Sequence, residues 1–314
     1  MLEIRELKVG FPEQGEILWV VKGSTFSVTA GEVLGIVGES GSGKSMTALA
    51  LTGLLPPEAI VQGEMIYQQK TFSFDKREQW QKLRGTEIGL VFQDPASSLN
   101  PLYPVGRSVW EALRYHLQYS EEKAKKETEK LFSALGILPA AKRVRQYPHQ
   151  LSGGLKQRVM LAAAICCRPA VLIADEPTTA LDVTVQAQIL KLLHSYVELQ
   201  QAALVLISHD LGVIAQIAER VIVMCQGVIV EEASVYELYQ QPLHPYTKLL
   251  LTSLPRLDRA ILHQVPQASG AAAADKACVF AKRCQHCQQQ CLTKEPVLKT
   301  MTPGHLVCCH FPLL

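Results

Sequence analysis

Val33-Leu34-Gly35-Ile36-Val37-Gly38-Glu39-Ser40-Gly41-Ser42-Gly43-Lys44-Ser45 decides how the rest of the chain is read. A short apolar run stops at a loop punctuated by glycines, and Ser45 to Leu54 then follows helical spacing, so strand, loop and helix arrive in that order. The loop satisfies the phosphate-binding pattern G-x-x-x-x-G-K-[ST] in the strand-to-helix context that the pattern requires. Glycines let successive backbone N–H groups turn toward phosphate, and the helix N-terminus adds positive potential. Lys44 then reaches the β and γ phosphates and the Ser45 hydroxyl ligates magnesium. Gly38, Ser40, Gly41, Gly43, Lys44, Ser45 and Met46 are therefore the expected nucleotide-holding residues. Taken without its flanks, the same loop would be an ordinary glycine-rich turn.

The second half of such a site is Val171-Leu172-Ile173-Ala174-Asp175-Glu176, an apolar strand whose end delivers two carboxylates. Asp175 is expected to hold magnesium through water, and Glu176 to orient or deprotonate the attacking water. An apolar run followed by two acids is by itself often just a strand meeting a solvated turn, so the pairing with the loop carries the reading. Leu151-Ser152-Gly153-Gly154-Leu155-Lys156-Gln157-Arg158 precedes a long apolar helix. Ser152 is placed to cap it, with the Gly153 and Gly154 N–H groups pointing out of its positive end. An ordinary Ser-capped helix reads the same way. Beside a loop that already binds one triphosphate, however, this second anion site suggests a phosphate presented by another copy of the fold.

Further strands are expected at Ile88 to Phe92 and Ala203 to Ile207, separated by helices such as Val183 to Leu199. This is an α/β pattern with a mostly parallel sheet. Arg107 to Ile137 reads as a charged helical insert with Ser120 as an N-cap. Val221 to Val223 and Val228 to Val230 flank Gln226-Gly227 as a hairpin, and Pro266 to Ala274 has linker composition. The 314 residues are 48% hydrophobic, enough for one large core and a small appendage. A net charge of +2 gives no electrostatic case for nucleic acid as partner. The most apolar stretch, Val159 to Ala174, is broken by Arg168 and Pro169, so no membrane span is expected, and the start lacks a secretory signal. These features predict a cytoplasmic protein. Six of the nine cysteines fall between Cys278 and Cys309.

Together these motifs resemble the ATP-binding cassettes of ABC transporters, from about Leu2 to Leu254. The resemblance implies a P-loop NTPase cassette with a helical subdomain, at about 100–160 within a domain spanning 1–255. In that family the Leu-Ser-Gly-Gly segment, here Ser152, Gly153 and Gly154, completes the ATP site of an opposing subunit. Gln93 matches the glutamine that senses magnesium and the membrane subunit, and His209 the histidine that contacts the γ phosphate. Ala180-Leu181-Asp182 matches the loop crossing the dimer, and Phe11 the aromatic that stacks on adenine. Leu155 departs from the usual residue without touching Ser152 or Gly154.

Phe92-Gln93-Asp94-Pro95 running into Ser98-Leu99-Asn100-Pro101, and His244-Pro245-Tyr246-Thr247, are similar to the oligopeptide and dipeptide importer branch, which includes nickel importers. Physically these segments are turns and a helix start. Cys278, Cys284, Cys291 and Cys309 resemble the C-terminal cysteine motif of that branch, which implies a [4Fe-4S] cluster in a cysteine-rich metal-binding tail at 278–314 after a linker at 256–277. A structural Zn²⁺ could use the same ligands. The resemblance further implies ATP and Mg²⁺ as cofactors, a second homologous ATPase subunit, two membrane permease subunits and an extracytoplasmic substrate-binding protein. It places the chain peripherally on the cytoplasmic face of the bacterial inner membrane. A nickel or nickel-chelate importer, and a soluble non-transport ABC ATPase, are the alternatives.

Overall fold

The computed structural model describes residues 2–253 and 277–313. Its elements, in order, are β1 (Leu2–Glu13), β2 (Glu16–Val28), β3 (Val33–Val37), α1 (Lys44–Leu51), β4 (Ile60–Tyr67), β5 (Lys70–Ser73), α2 (Arg77–Leu83) and β6 (Ile88–Val91). A helical region follows, with α3 (Pro95–Ser98), α4 (Arg107–Leu117), α5 (Glu121–Ala134), α6 (Ala140–Arg143) and α7 (Gly153–Ile165). The chain then alternates through β7 (Val171–Asp175), α8 (Val183–Gln200), β8 (Ala203–Ser208) and α9 (Leu211–Ile214). It ends with β9 (Arg220–Cys225), β10 (Val228–Ser234), α10 (Val235–Gln240), α11 (Pro245–Thr252), α12 (Gln289–Thr293), β11 (Lys299–Thr302) and β12 (His305–Val307).

The larger sheet has the order β11-β12-β10-β9-β3-β8-β7-β6. Strands β9, β3, β8, β7 and β6 run parallel, as the alternation of apolar runs with helices predicts. Successive residues of the central strands feed two separate cores. Val33 and Val37 of β3, Leu172 of β7 and Leu204 of β8 face the core formed with α7 and α8. Their neighbours Leu34, Ile36, Ile173 and Val205 face the core under α1 and the smaller sheet. A strand buried on both faces must be apolar throughout, which is why these runs are continuous rather than alternating.

The smaller sheet, β2-β1-β4-β5, is antiparallel and was not predicted. Other sequence expectations hold with small boundary shifts. The Ser120 hydroxyl accepts the Lys123 N–H at the start of α5. Gln226 and Gly227 adopt φ of 46° and 86°, the left-handed pair that a tight hairpin between β9 and β10 requires.

The stretch assigned as linker, 256–277, lies outside the described residues apart from Ala277. The cysteine-bearing tail attaches more closely than an appendage would. Strand β12 pairs with β10 through Glu231 and Glu232, and the Cys308 N–H donates to the Val230 carbonyl at 2.8 Å. At that seam Glu231 is fully buried and accepts the Leu243 and His244 N–H groups at 2.7 and 2.9 Å, while His305 Nε2 lies 2.7 Å away. Among the described residues no helix is long and apolar enough to cross a membrane.

Candidate functional site

The loop after β3 is shaped by glycines with different tasks. Gly41 and Gly43 have φ of 79° and 101°, a region open to glycine at little cost. A Cβ on Gly38 would sit 2.2 Å from the Met224 carbonyl oxygen, so this position packs directly against β9. Lys44, only 4% exposed, donates from Nζ to the Gly38 and Glu39 carbonyls at 2.8 and 2.9 Å. Burial lowers its pKa, opposed by the negative charges of Glu176, Asp175 and Glu39.

Strand β7 delivers Asp175 to the same place. The Ser45 hydroxyl donates to Asp175 Oδ1 at 3.2 Å, joining the helix start to the strand end. Burial raises the Asp175 pKa, helped by the Glu176 charge and opposed by the Ser45 hydrogen bond and Lys44. A buried carboxylate beside a hydroxyl and flanked by a second acid is an oxygen donor set suited to a hard divalent cation, so Mg²⁺ fits here.

Glu176 follows in a left-handed conformation, φ 46°, that turns its side chain out of the strand line. Three groups converge on its Oε2: Gln93 Nε2 at 3.0 Å, the Thr179 hydroxyl at 2.8 Å and His209 Nδ1 at 3.1 Å. Gln93 follows β6, Thr179 follows β7 and His209 follows β8, so three adjacent parallel strands aim residues at one oxygen. This is the carboxyl edge of a parallel sheet, where such folds gather their chemistry. Thr179 was missed in the sequence because nothing in Glu176-Pro177-Thr178-Thr179 marks one threonine over the other.

Ser152, Gly153 and Gly154 lie elsewhere. They line a pocket with Gly136, Leu155, Arg158 and Ala180 to Asp182. Ser152 stands at the N-cap of α7, but its hydroxyl makes no cap hydrogen bond, contrary to expectation. The glycine N–H groups at the helix start therefore keep no intrahelical or capping partner, as an anion site needs. Asp182 caps α8 by accepting the Val185 N–H at 3.0 Å, and Val185 lies 2.8 Å from a Cβ built on Gly154. Phe11 is half-buried on β1 opposite Leu18. The same ribbon passes behind the phosphate loop, where the Val20 carbonyl lies 2.7 Å from a Cβ on Gly43. Met46 packs from α1 against the core under the smaller sheet.

In the tail, Cys278, Cys284, Cys291 and Cys309 line one pocket with Phe280, Ala281 and Phe311. Cys287 and Cys308 do not line it, and the Cys308 thiol donates instead to the Pro296 carbonyl at 3.2 Å. Burial pushes the Cys278 and Cys284 thiols up to about 11. Among the described residues no three His, Cys, Asp or Glu side chains converge closely enough to hold a metal ion. The geometry thus gathers the four expected cysteines without forming a closed coordination site, and the metal-binding character expected of the tail is not demonstrated by it.

Residues 21–179 match the family model described as ABC transporter, and residues 230–291 match that described as Oligopeptide/dipeptide transporter, C-terminal region. The dipeptide transport ATP-binding protein of Escherichia coli (strain K12) is 40% identical, aligned over 100% of this chain and 97% of its own. The oligopeptide transport ATP-binding protein of Bacillus subtilis (strain 168) is also 40% identical, over 98% of this chain and 96% of its own. A solved dimeric ATP-binding cassette in a post-hydrolysis state, bound to ADP and phosphate, superposes with a TM-score of 0.67 at 28% identity, covering 75% of this chain and 99% of that one. With a phosphate loop, a carboxylate pair and a Ser-Gly-Gly helix start on one cassette fold, the chain belongs to the ABC transporter family, among its oligopeptide and dipeptide transport ATP-binding proteins.

Proposed function

We propose that this chain hydrolyses ATP to drive the import of di- or oligopeptides through membrane partners. The observation that carries the catalytic part is the convergence of Gln93, Thr179 and His209 on one oxygen of Glu176, next to the Ser45–Asp175 pair. Three donors on Oε2 hold the carboxylate in one orientation, which leaves Oε1 to take the proton of the attacking water. Lys44 and the loop N–H groups bind the β and γ phosphates, and Ser45 and Asp175 hold Mg²⁺, which neutralises phosphate charge when bound. His209, through Nε2, and Gln93 are placed to report the γ phosphate to the rest of the site.

The anion site at Ser152 to Gly154 faces a different pocket from Lys44, so one chain supplies two unlike half-sites. Two cassettes arranged head to tail would complete both, and a homologous second chain serves as partner. Peptide cargo is favoured over nickel because the full-length relatives are named for oligopeptides and dipeptides. The lack of a spanning helix among the described residues supports a peripheral place on permease subunits at the cytoplasmic face of the membrane, with an external binding protein delivering cargo. Division into a cassette over 1–255, a linker and a cysteine-bearing segment from 278 fits this reading. The four pocket cysteines would hold a [4Fe-4S] cluster, whose usual ligand set they match.

Glu176→Gln tests the catalytic assignment. Phosphate release should fall by about 10²- to 10⁴-fold, as loss of a general base does, while ATP binding persists. A variant that keeps half the wild-type rate would remove Glu176 from the reaction.

A further inference from the structure

Glu39 is the second residue of the phosphate loop, a position the loop pattern leaves open. Each of its polar groups is nonetheless engaged. Its N–H donates to the Tyr246 hydroxyl at 2.9 Å, and its carbonyl accepts Lys44 Nζ at 2.9 Å. Its carboxylate takes a bidentate pair from Arg283, Nη1 to Oε2 at 2.6 Å and Nη2 to Oε1 at 2.7 Å. Arg283 is the residue before Cys284, so the cysteine-bearing tail reaches across to grip the loop that holds phosphate.

The grip is continuous with the cysteine pocket. Phe280 lines that pocket, and its ring packs 5.3 Å from Tyr246 and 5.6 Å from the Arg283 guanidinium. Both partners of Glu39 thus rest on one aromatic side chain of the pocket wall, and Arg283 ends the short 3-10 turn Ala281–Arg283 that Cys278 and Cys284 flank. Arg283 and Cys284 share a peptide bond, so a displacement of Cys284 would move the backbone that carries the guanidinium. Electrostatically, Arg283 offsets a carboxylate near enough to Lys44 for their charges to interact. Without that cation, Glu39 would repel an incoming triphosphate.

We propose that Arg283 is a positioning residue of the phosphate loop, neutralising Glu39 and passing the state of the four-cysteine pocket to nucleotide affinity. The inference rests on the ATP-site reading above, but not on which group fills the pocket.

The test compares the full-length wild type with Arg283→Gln, Glu39→Gln and the double variant by equilibrium binding of a fluorescent ATP analogue. Arg283→Gln should raise Kd by roughly five- to tenfold, the lower range of coupling between sites, and adding Glu39→Gln should bring it back to within about twofold of wild type. Because coupling is reciprocal, ATP should slow amide exchange over Cys278 to Cys291 in wild type and not in Arg283→Gln. An unchanged Kd in Arg283→Gln overturns the proposal. So does a weakening that Glu39→Gln leaves in place, since a merely structural arginine would not be rescued by removing the opposing charge. Wild type that bound no ATP would overturn the ATP-site reading and this proposal together. That failure stands apart because Lys44→Ala would then change nothing. If Arg283→Gln does not fold, Arg283→Met, which keeps an apolar stem against Phe280 and loses the charge, carries the same comparison.

Discussion

Gly38 and Gly41 stand three residues apart in one loop and are glycine for different reasons. A methyl on Gly38 meets the Met224 carbonyl at 2.2 Å and Ser42 Oγ at 2.6 Å, and the backbone oxygen cannot swing away. Around Gly41 there is nothing within 4 Å, but φ is 79°. Gly38→Ala should therefore cost about 3 kcal/mol through overpacking, and Gly41→Ala only about 1–2 kcal/mol through left-handed strain. Urea unfolding of the two variants would reverse the assignment if Gly41→Ala proved the more damaging. Sequence spacing names both glycines without telling them apart, because the first depends on β9, nearly 190 residues onward. Asp175, Glu176, Gln93 and His209 were legible through their order along the chain. Thr179, Tyr246 and Arg283 were not, since their roles exist only once the fold brings them beside Glu176 and Glu39.

Between elements, Arg220 is the strongest polar tie. From the start of β9 it donates to Glu32 at 3.0 and 2.8 Å, and also to Glu232 on β10 and the Ser27 carbonyl on β2, so it fastens the smaller sheet to the larger. Arg220→Ala leaves two poorly exposed carboxylates facing each other, at a cost of about 2–4 kcal/mol. Burial opposes ionisation of Glu32, yet the Thr29 N–H and the Arg220 guanidinium outweigh it and hold the carboxyl below its ordinary 4.5. A carboxyl lowered in the folded state lends stability above its unfolded pKa and loses it as pH falls through the folded one. Thermal melting from about pH 5 down to pH 3 should thus fall less steeply in Glu32→Gln than in wild type. Parallel slopes would show that the pair adds nothing. Strands β3, β7 and β8 could be read as unbroken apolar runs because both their faces are covered. Strand β1 could not, because its buried residues Leu2, Ile4, Leu7 and Val9 slip out of alternation at a bulge where Glu6 turns to φ 50°.

Over the whole molecule, the tail is the part whose order calls for an explanation beyond the hydrophobic core. Strand β12 gives it one seam on the large sheet, but β11 is exposed throughout and the Ala281–Arg283 turn and α12 are each no more than five residues long. What remains at its centre is the pocket of Cys278, Cys284, Cys291 and Cys309, where burial raises the pKa of the Cys278, Cys284 and Cys309 thiols. Free thiols offer this segment little cohesion, whereas four thiolates around a cluster would tie Cys278 to Cys309 as one unit. Protein purified without oxygen should carry about four irons and four acid-labile sulfides per chain. Cys284→Ser should lose most of that iron, and Cys287→Ser, a thiol off the pocket, should keep it. Zinc in place of iron, or equal loss from both variants, would separate the tail from cluster chemistry and leave the ATP site untouched.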